Sequence, residues 1–348
     1  YPTDQYQTLA VTAIASANPP DVATCWPGTF TRDLAKAGHF LALDNFLVET
    51  GLKNRIPQGL FDQVSYRGVT YGVPLGAFNL QVFYNVGMFE QFGFDIPQCW
   101  DELLFIAKTF KENGIYGVSL GTKEVWPGGI WKNVIAAATF QTTHPELIDQ
   151  LNSGEASYTD PRFVRVLRAI EELGNYTNPS PNGTTYEDSF RLFATEKAAM
   201  YIMGSWVIGQ IDELLAPEVK YSVFRPIFHY GLKESKVSGS VDFSLSVPKK
   251  SKHLKEALKL VEFMTSPEMN AQWKENIPAQ PAVANQVLTD PHIRAFADDM
   301  IYSTFVFDQQ IPAEVDLRIN TGIQGLLDKV ITAQELAEEV ETVAKKYR

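Results

Sequence analysis

The chain has 348 residues, room for two domains at roughly 150 residues each. Hydrophobic residues make up 45% and charged residues 20%, the balance of a globular chain that can bury substantial cores. With 30 Lys and Arg against 41 Asp and Glu, the net charge of −11 argues against a nucleic-acid partner, which needs a basic face. No apolar run reaches membrane-spanning length; Val134 to Phe140 is far too short. No leader peptide opens the sequence, which leaves either an intracellular chain or an exported one written without its leader. Cys25 and Cys99 match no metal spacing and stand as either a disulfide pair or two free thiols.

Taken in order, Tyr6 to Ala17 is expected to be a helix with Leu9, Ala10, Ala13 and Ile14 on one face, stopped by Asn18-Pro19-Pro20. Asp21 to Trp26 reads as a short strand ending in Trp-Pro-Gly, and Phe30 to Ala37 as a helix closed by Gly38. Ser65 to Leu75 reads as a hairpin with Arg67-Gly68 at its turn. Gln81 to Asn85 is a strand and Val86 to Phe92 a helix; Trp100 to Lys111 is amphipathic, with Leu103, Leu104, Ala107 and Phe110 on one stripe. Ile115 to Leu120 is a buried strand, followed by a loop over Thr122 to Gly129 that holds Trp126.

Three helix starts are well marked. Asp160-Pro161 and Ser266-Pro267 each place a cap before a proline, and Thr332-Ala-Gln-Glu335 is a capping box. Strands alternate with helices nearly throughout, which predicts an α/β fold with mainly parallel sheets.

The stretch Lys197 to Trp206 is the centre of this pattern. Ala198 to Met203 reads as a strand with protein on both faces, and Gly204 as a turn that a bulkier residue would resist. After it come a hydroxyl and an indole, Ser205 and Trp206, at the strand end where α/β sheets bind ligands. An indole there offers a flat apolar platform with one polar N–H, suited to the C–H face of a sugar ring.

Several of these stretches together resemble one family, the extracellular solute-binding proteins of ABC importers, in the large sugar-binding, maltose-binding-protein-like group. The matching pieces occur in that family's order across nearly the whole chain: Ala15-Ser-Ala-Asn-Pro-Pro-Asp-Val22, Tyr66 to Pro74, Phe83-Tyr-Asn-Val-Gly-Met-Phe89, and Pro97 to Leu103. Phe193 to Trp206, Val247 to Lys252, Ala257 to Glu268 and Ile331 to Glu335 complete the set. Two departures stand out. The family usually begins with a strand and helical segment ahead of the part matching Tyr6, and that strand is not in this sequence, so the site residues below are incomplete. Cys99 also stands where a capping Thr or Ser usually precedes Trp-Asp-Glu, which weakens that helix start because a thiol is a poor acceptor.

The resemblance implies a two-lobe periplasmic-binding-protein-like fold of type II, each lobe a mainly parallel sheet flanked by helices, joined by a hinge. The lobes would be residues 1–83 with 242–300, and residues 84–241 with 301–348. Ligand would lie in the cleft between lobes that close over it. The residues implied to bind it are Trp26, Phe78, Asn79, Trp126, Ser205, Trp206, Asp242 and Tyr302. Aromatic planes with Asp, Asn and Ser suit a carbohydrate, whose rings present stacked C–H faces and a rim of hydroxyls. The resemblance further implies a monomer without metal or cofactor that delivers a mono- or oligosaccharide to membrane permease subunits. It would work outside the cytoplasm, in the periplasm or lipid-anchored at the outer face of the cell membrane.

Two other classes are weighed beside this one. Gly117-Val-Ser-Leu-Gly121 spells the hydrolase nucleophile elbow, but Ser119 falls within a strand rather than at a strand-to-helix turn. Ser246-Val-Pro-Lys249 spells S-x-x-K, but Pro248 breaks the helical turn that would set Lys beside Ser. A glycoside hydrolase would instead need a spatial carboxylate pair, for which Asp242 and Glu124 are the candidates. A non-sugar ligand such as glycerol phosphate or a polyamine would want an Arg/Lys set or several carboxylates, and the assigned positions supply neither.

Overall fold

The computed structural model describes residues 3–217, 219–229, 235–272 and 277–348. Its strands and helices alternate, and the chain divides into two compact units: Tyr1–Phe78 with Ser240–Ala297, and Asn79–Gly239 with Asp298–Arg348. It therefore passes from one unit to the other three times.

In the first unit the strand Ala23–Cys25 pairs antiparallel with Ser244–Ser246, which pairs antiparallel with Val73–Pro74. One core lies among Leu43, Leu47, Leu52, Phe61, Val73, Val241, Leu245 and Val261. A second forms where Ala10 and Ile14 of the helix Thr3–Ala15 meet Ala23, Cys25, Leu34 and Phe40. The expected hairpin is present as Ser65–Tyr66 against Val69–Thr70. Arg67 and Gly68 have φ of 51° and 77°, the doubly left-handed turn whose twist matches the flanking strands.

In the second unit the strand Ala198–Gly204 is buried at every residue, as its composition predicts. It runs parallel to Tyr116–Ser119 on one side and antiparallel to Gly76–Asn85 on the other, with Leu80 opposite Gly204 and Tyr84 opposite Met200. Tyr221–Phe224 adds to the far edge of Gly76–Asn85, again antiparallel. Parallel pairing is thus found in Tyr116–Ser119 with Ala198–Gly204 and in Val237–Val241 with Ser303–Phe305. Gly76–Asn85 enters this unit from the first one and runs antiparallel to both Ala198–Gly204 and Tyr221–Phe224.

The marked helix starts behave as their residue types dictate. Asp160 accepts from the Arg162 N–H at 2.9 Å and Ser266 from the Met269 N–H at 3.3 Å. Thr332 and Glu335 form the complete capping box, and the two Thr332 contacts hold the Glu335 carboxyl below its usual range. Cys99 opens the helix Trp100–Glu112 with no side-chain cap, the weakness the thiol implies. Both cysteines are free thiols, and burial pushes that of Cys25 up to about 12, so it stays protonated.

One expectation is corrected. Thr122 to Gly129 is not all loop: the helix Trp126–Ala138 starts at Trp126 itself. Pro127 sits in the first helical turn, where its missing N–H costs nothing. The two glycines that suggest a loop serve packing instead. A Cβ on Gly128 would meet Ile323 and Thr122 at 3.1–3.2 Å, and one on Gly129 would meet the Asn320 amide at 2.8 Å.

Candidate functional site

Each unit carries part of the residue set named from the sequence. In the first unit, Trp26 follows the strand Ala23–Cys25 and is half-buried among three rings: Tyr6 at 5.2 Å, Phe30 at 5.8 Å and Phe243 at 5.9 Å between centroids. Its carbonyl accepts from the Thr31 hydroxyl at 2.5 Å, which pins the turn after the strand. Asp242 is half-buried next to Phe243, and its N–H donates to the Gly76 carbonyl at 2.9 Å. Leu75 N–H donates back to the Phe243 carbonyl at 2.9 Å. Those bonds bring Trp26, the Asp242-Phe243 step and the chain leading to Phe78 onto adjacent segments. Phe78 itself is buried, only 8% exposed.

In the second unit, Trp206 follows Gly204 and Ser205 within the short turn Ser205–Val207. Ser205 is fully buried, whereas Trp206 is half-buried. The structure changes the reason for Gly204. Its φ of −91° and ψ of 167° are open to any residue, so no special turn is needed. Instead, a Cβ there would overlap the six-membered ring of the Trp206 indole. The glycine exists so that the indole can lie flat across the end of the strand. Gly204→Ala is therefore expected to push the indole away at a cost of about 1–3 kcal/mol of stability, the usual range for overpacking. Thermal unfolding and a near-ultraviolet tryptophan spectrum measure this, and a spectrum identical to the parent would refute it.

Trp126 stands 4.9 Å from Tyr186, tilted by 48°, and Tyr186 stands 5.3 Å from Phe190. The residue before it, Val125, has φ of 35°, a left-handed conformation that a β-branched side chain resists. The Tyr186 hydroxyl and the Gln210 side-chain oxygen are 3.0 Å apart, and Gln210 lies in the helix Ile208–Asp212 that follows Trp206. The Glu124 carboxylate accepts the Tyr186 N–H at 2.8 Å. The segments bearing Trp126 and Trp206 are thus linked through Tyr186 and Gln210.

Asn79 and Tyr302 belong to a separate polar chain. Asn79 is fully buried, its Oδ1 accepting from Gln81 Nε2 at 3.1 Å. Gln81 Nε2 also donates to Asp299 Oδ2 at 3.0 Å, and Arg225 Nε lies 3.1 Å from Asp299 Oδ1. The Arg225 guanidinium stacks on the Tyr302 ring at 3.7 Å. Burial raises the Asp299 carboxyl, opposed by Arg225 and Gln81. Sequence reading missed Tyr6, Phe30 and Phe243 around Trp26, and Tyr186, Gln81, Asp299 and Arg225 in the second unit. Only Phe243 had a local signal, as the neighbour of Asp242.

The two enzyme spellings find no matching geometry. Ser119 is the last residue of the strand Tyr116–Ser119 and is fully buried, with no hydrogen-bond partner for its hydroxyl among the described residues. Ser246 ends the strand Ser244–Ser246 and is fully buried, while Lys249 is exposed.

Comparison with known proteins agrees with this architecture. The chain is 25% identical over 265 residues to a multiple sugar-binding protein of Streptococcus mutans, an alignment covering 74% of this chain and 61% of that protein. It is similar in fold to a chitin oligosaccharide binding protein, with a TM-score of 0.86 at 23% identity over 99% of this chain and 88% of the other. A solute-binding protein in complex with raffinose gives 0.80 at 22% identity, over 98% and 88% of the two chains. These proteins are binding proteins rather than enzymes. The family described as bacterial extracellular solute-binding protein matches residues 1–271, more than three quarters of the sequence, and with two α/β units of this topology the chain belongs to that family.

Proposed function

We propose that this chain captures a carbohydrate outside the cytoplasm and delivers it to the membrane permease of an ABC importer. The observation that carries the reading is half-buried Trp206, its indole laid across Gly204 at the end of a central strand. A flat apolar face with a hydrogen-bonding edge matches a pyranose better than it matches a phosphate or a polyamine. Trp26 at a strand end of the first unit and Trp126 with Tyr186 in the second offer further faces of the same kind. Half-buried Asp242 supplies a polar group such a ligand requires, with Asn79 and Ser205 fully buried behind the surface. The sugars named for the relatives support the class, and reversible binding is the whole of the mechanism, with no bond made or broken. The residues assigned to the ligand remain Trp26, Phe78, Asn79, Trp126, Ser205, Trp206, Asp242 and Tyr302.

A thermal-unfolding screen against mono- and oligosaccharides, with product analysis, tests this. A sugar present at 100 times its dissociation constant adds about 2.7 kcal/mol, a plainly raised midpoint. A raised midpoint with the sugar recovered intact is the expected result. Cleavage of the sugar would replace the reading with a hydrolase, and no shift with any sugar would replace it with a phosphorylated or cationic ligand.

A further inference from the structure

In the second unit two carboxylates lie near one fully buried cation. Lys132 lies in the middle of the helix Trp126–Ala138 and is fully buried. Its ammonium donates to Asp316 and, at 3.0 Å, to the Asn320 side-chain oxygen. Asn320 Nδ2 donates in turn to Asp316 Oδ2 at 2.8 Å, so both Asp316 oxygens are engaged. The next residue of the helix, Asn133, holds Asp308: its amide donates to Asp308 Oδ2 at 2.6 Å and accepts the Asp308 N–H at 3.3 Å. Part of Asp308 reaches solvent, but its other oxygen, Oδ1, does not. That oxygen has no hydrogen-bond partner among the described residues, and the Gln309 backbone N–H draws on the carboxyl as a whole.

The groups bearing on Asp308 are therefore one ammonium, Lys132, and one further carboxylate, Asp316, from the two helices packed on it. Two carboxylates share a single cation, and Asp316 has the better claim through direct contact. The charge left over falls on Asp308. A proton from solvent on Oδ1 removes it, and leaves Oδ2 free to keep the Asn133 bond.

We propose that Asp308 is a proton-binding site built into the second unit, which makes that unit more stable in mildly acidic medium than at neutral pH. The inference does not depend on the ligand. The sign follows from the environment. Burial, and then Asp316, push the Asp308 carboxyl up to about 6, against the opposing pull of Lys132 and Asn133. A carboxyl raised on folding holds a proton that the unfolded chain has already released. Stability therefore falls as pH rises from the ordinary carboxylate range, near 3.8, through about 6, and levels off above.

The test compares thermal unfolding of the parent chain and of Asp308→Asn at pH 5, 6 and 7. Asparagine keeps an acceptor for Asn133 and carries no charge. Between pH 5 and pH 7 the parent midpoint is expected to fall by about 5 °C more than that of the variant. At pH 7 the variant should melt above the parent. Asp316→Asn, which hands Lys132 to Asp308, should also flatten the profile. Equal pH slopes in parent and Asp308→Asn overturn the proposal. So does an Asp308→Asn chain that is unfolded at pH 7, where a gain is expected.

Discussion

Trp206→Ala is expected to weaken binding of the carbohydrate found by the screen by about 30-fold, with little loss of stability. Truncating an aromatic anchor at the centre of a binding surface typically removes about 2 kcal/mol, and each 1.4 kcal/mol is tenfold in affinity. The indole is half-buried and packs over a glycine, so its removal opens no deep cavity in the fold. Calorimetric titration and thermal unfolding of the same sample separate the two effects. Trp206→Phe should recover part of the affinity, since a phenyl face still stacks but lacks the indole's area and N–H. A Trp206→Ala protein that binds as the parent does would remove Trp206 from the ligand assignment. Gly204→Ala provides the complementary test, because it keeps the indole and denies it its place.

Lys132→Met is expected to cost about 3–5 kcal/mol of stability at pH 7, the range for removing one partner of a buried ion pair. Methionine fills the same channel between the helices Trp126–Ala138 and Ala313–Leu327, so volume is nearly conserved. What is lost is the only cation in contact with Asp316 among the described residues, and with it the partial compensation that Asp308 receives. A unit of this size should melt about 10 °C lower. Acid should restore much of that loss, because protonating either carboxylate removes the uncompensated charge. Thermal unfolding at pH 7 and pH 5 measures both. A variant as stable as its parent at pH 7 would show that the buried lysine contributes nothing net.

Of the residues proposed to bind ligand, those carried by a strand end were legible in order: Trp26 after Ala23–Cys25 and Trp206 after Ala198–Gly204. Their backbone setting is local, dictated by a short apolar run and the small residues beside it. Trp126 was legible as a residue but not as a helix start, because Pro-Gly-Gly is equally a loop until Ile323 and Asn320 are seen packed against the two glycines. Tyr186, Gln210 and Arg225 carried no spacing that ties them to a site. They reach it through contacts made by other segments.

The sequence by itself determined what depends on neighbouring residues. The hairpin at Arg67-Gly68, the caps at Asp160, Ser266 and Thr332, and the buried strand through Met203 are all of this kind. Turn preference, capping and hydrophobic period are properties of a few consecutive side chains, and they survive without knowledge of the fold. The tertiary structure alone decided the rest: that Gly204 serves an indole rather than a turn, and that Lys132 meets Asp316 across 184 positions of chain while Asn133 meets Asp308 across 175. Steric room and the energy of a buried charge are set by atoms distant in sequence, so no local pattern encodes them.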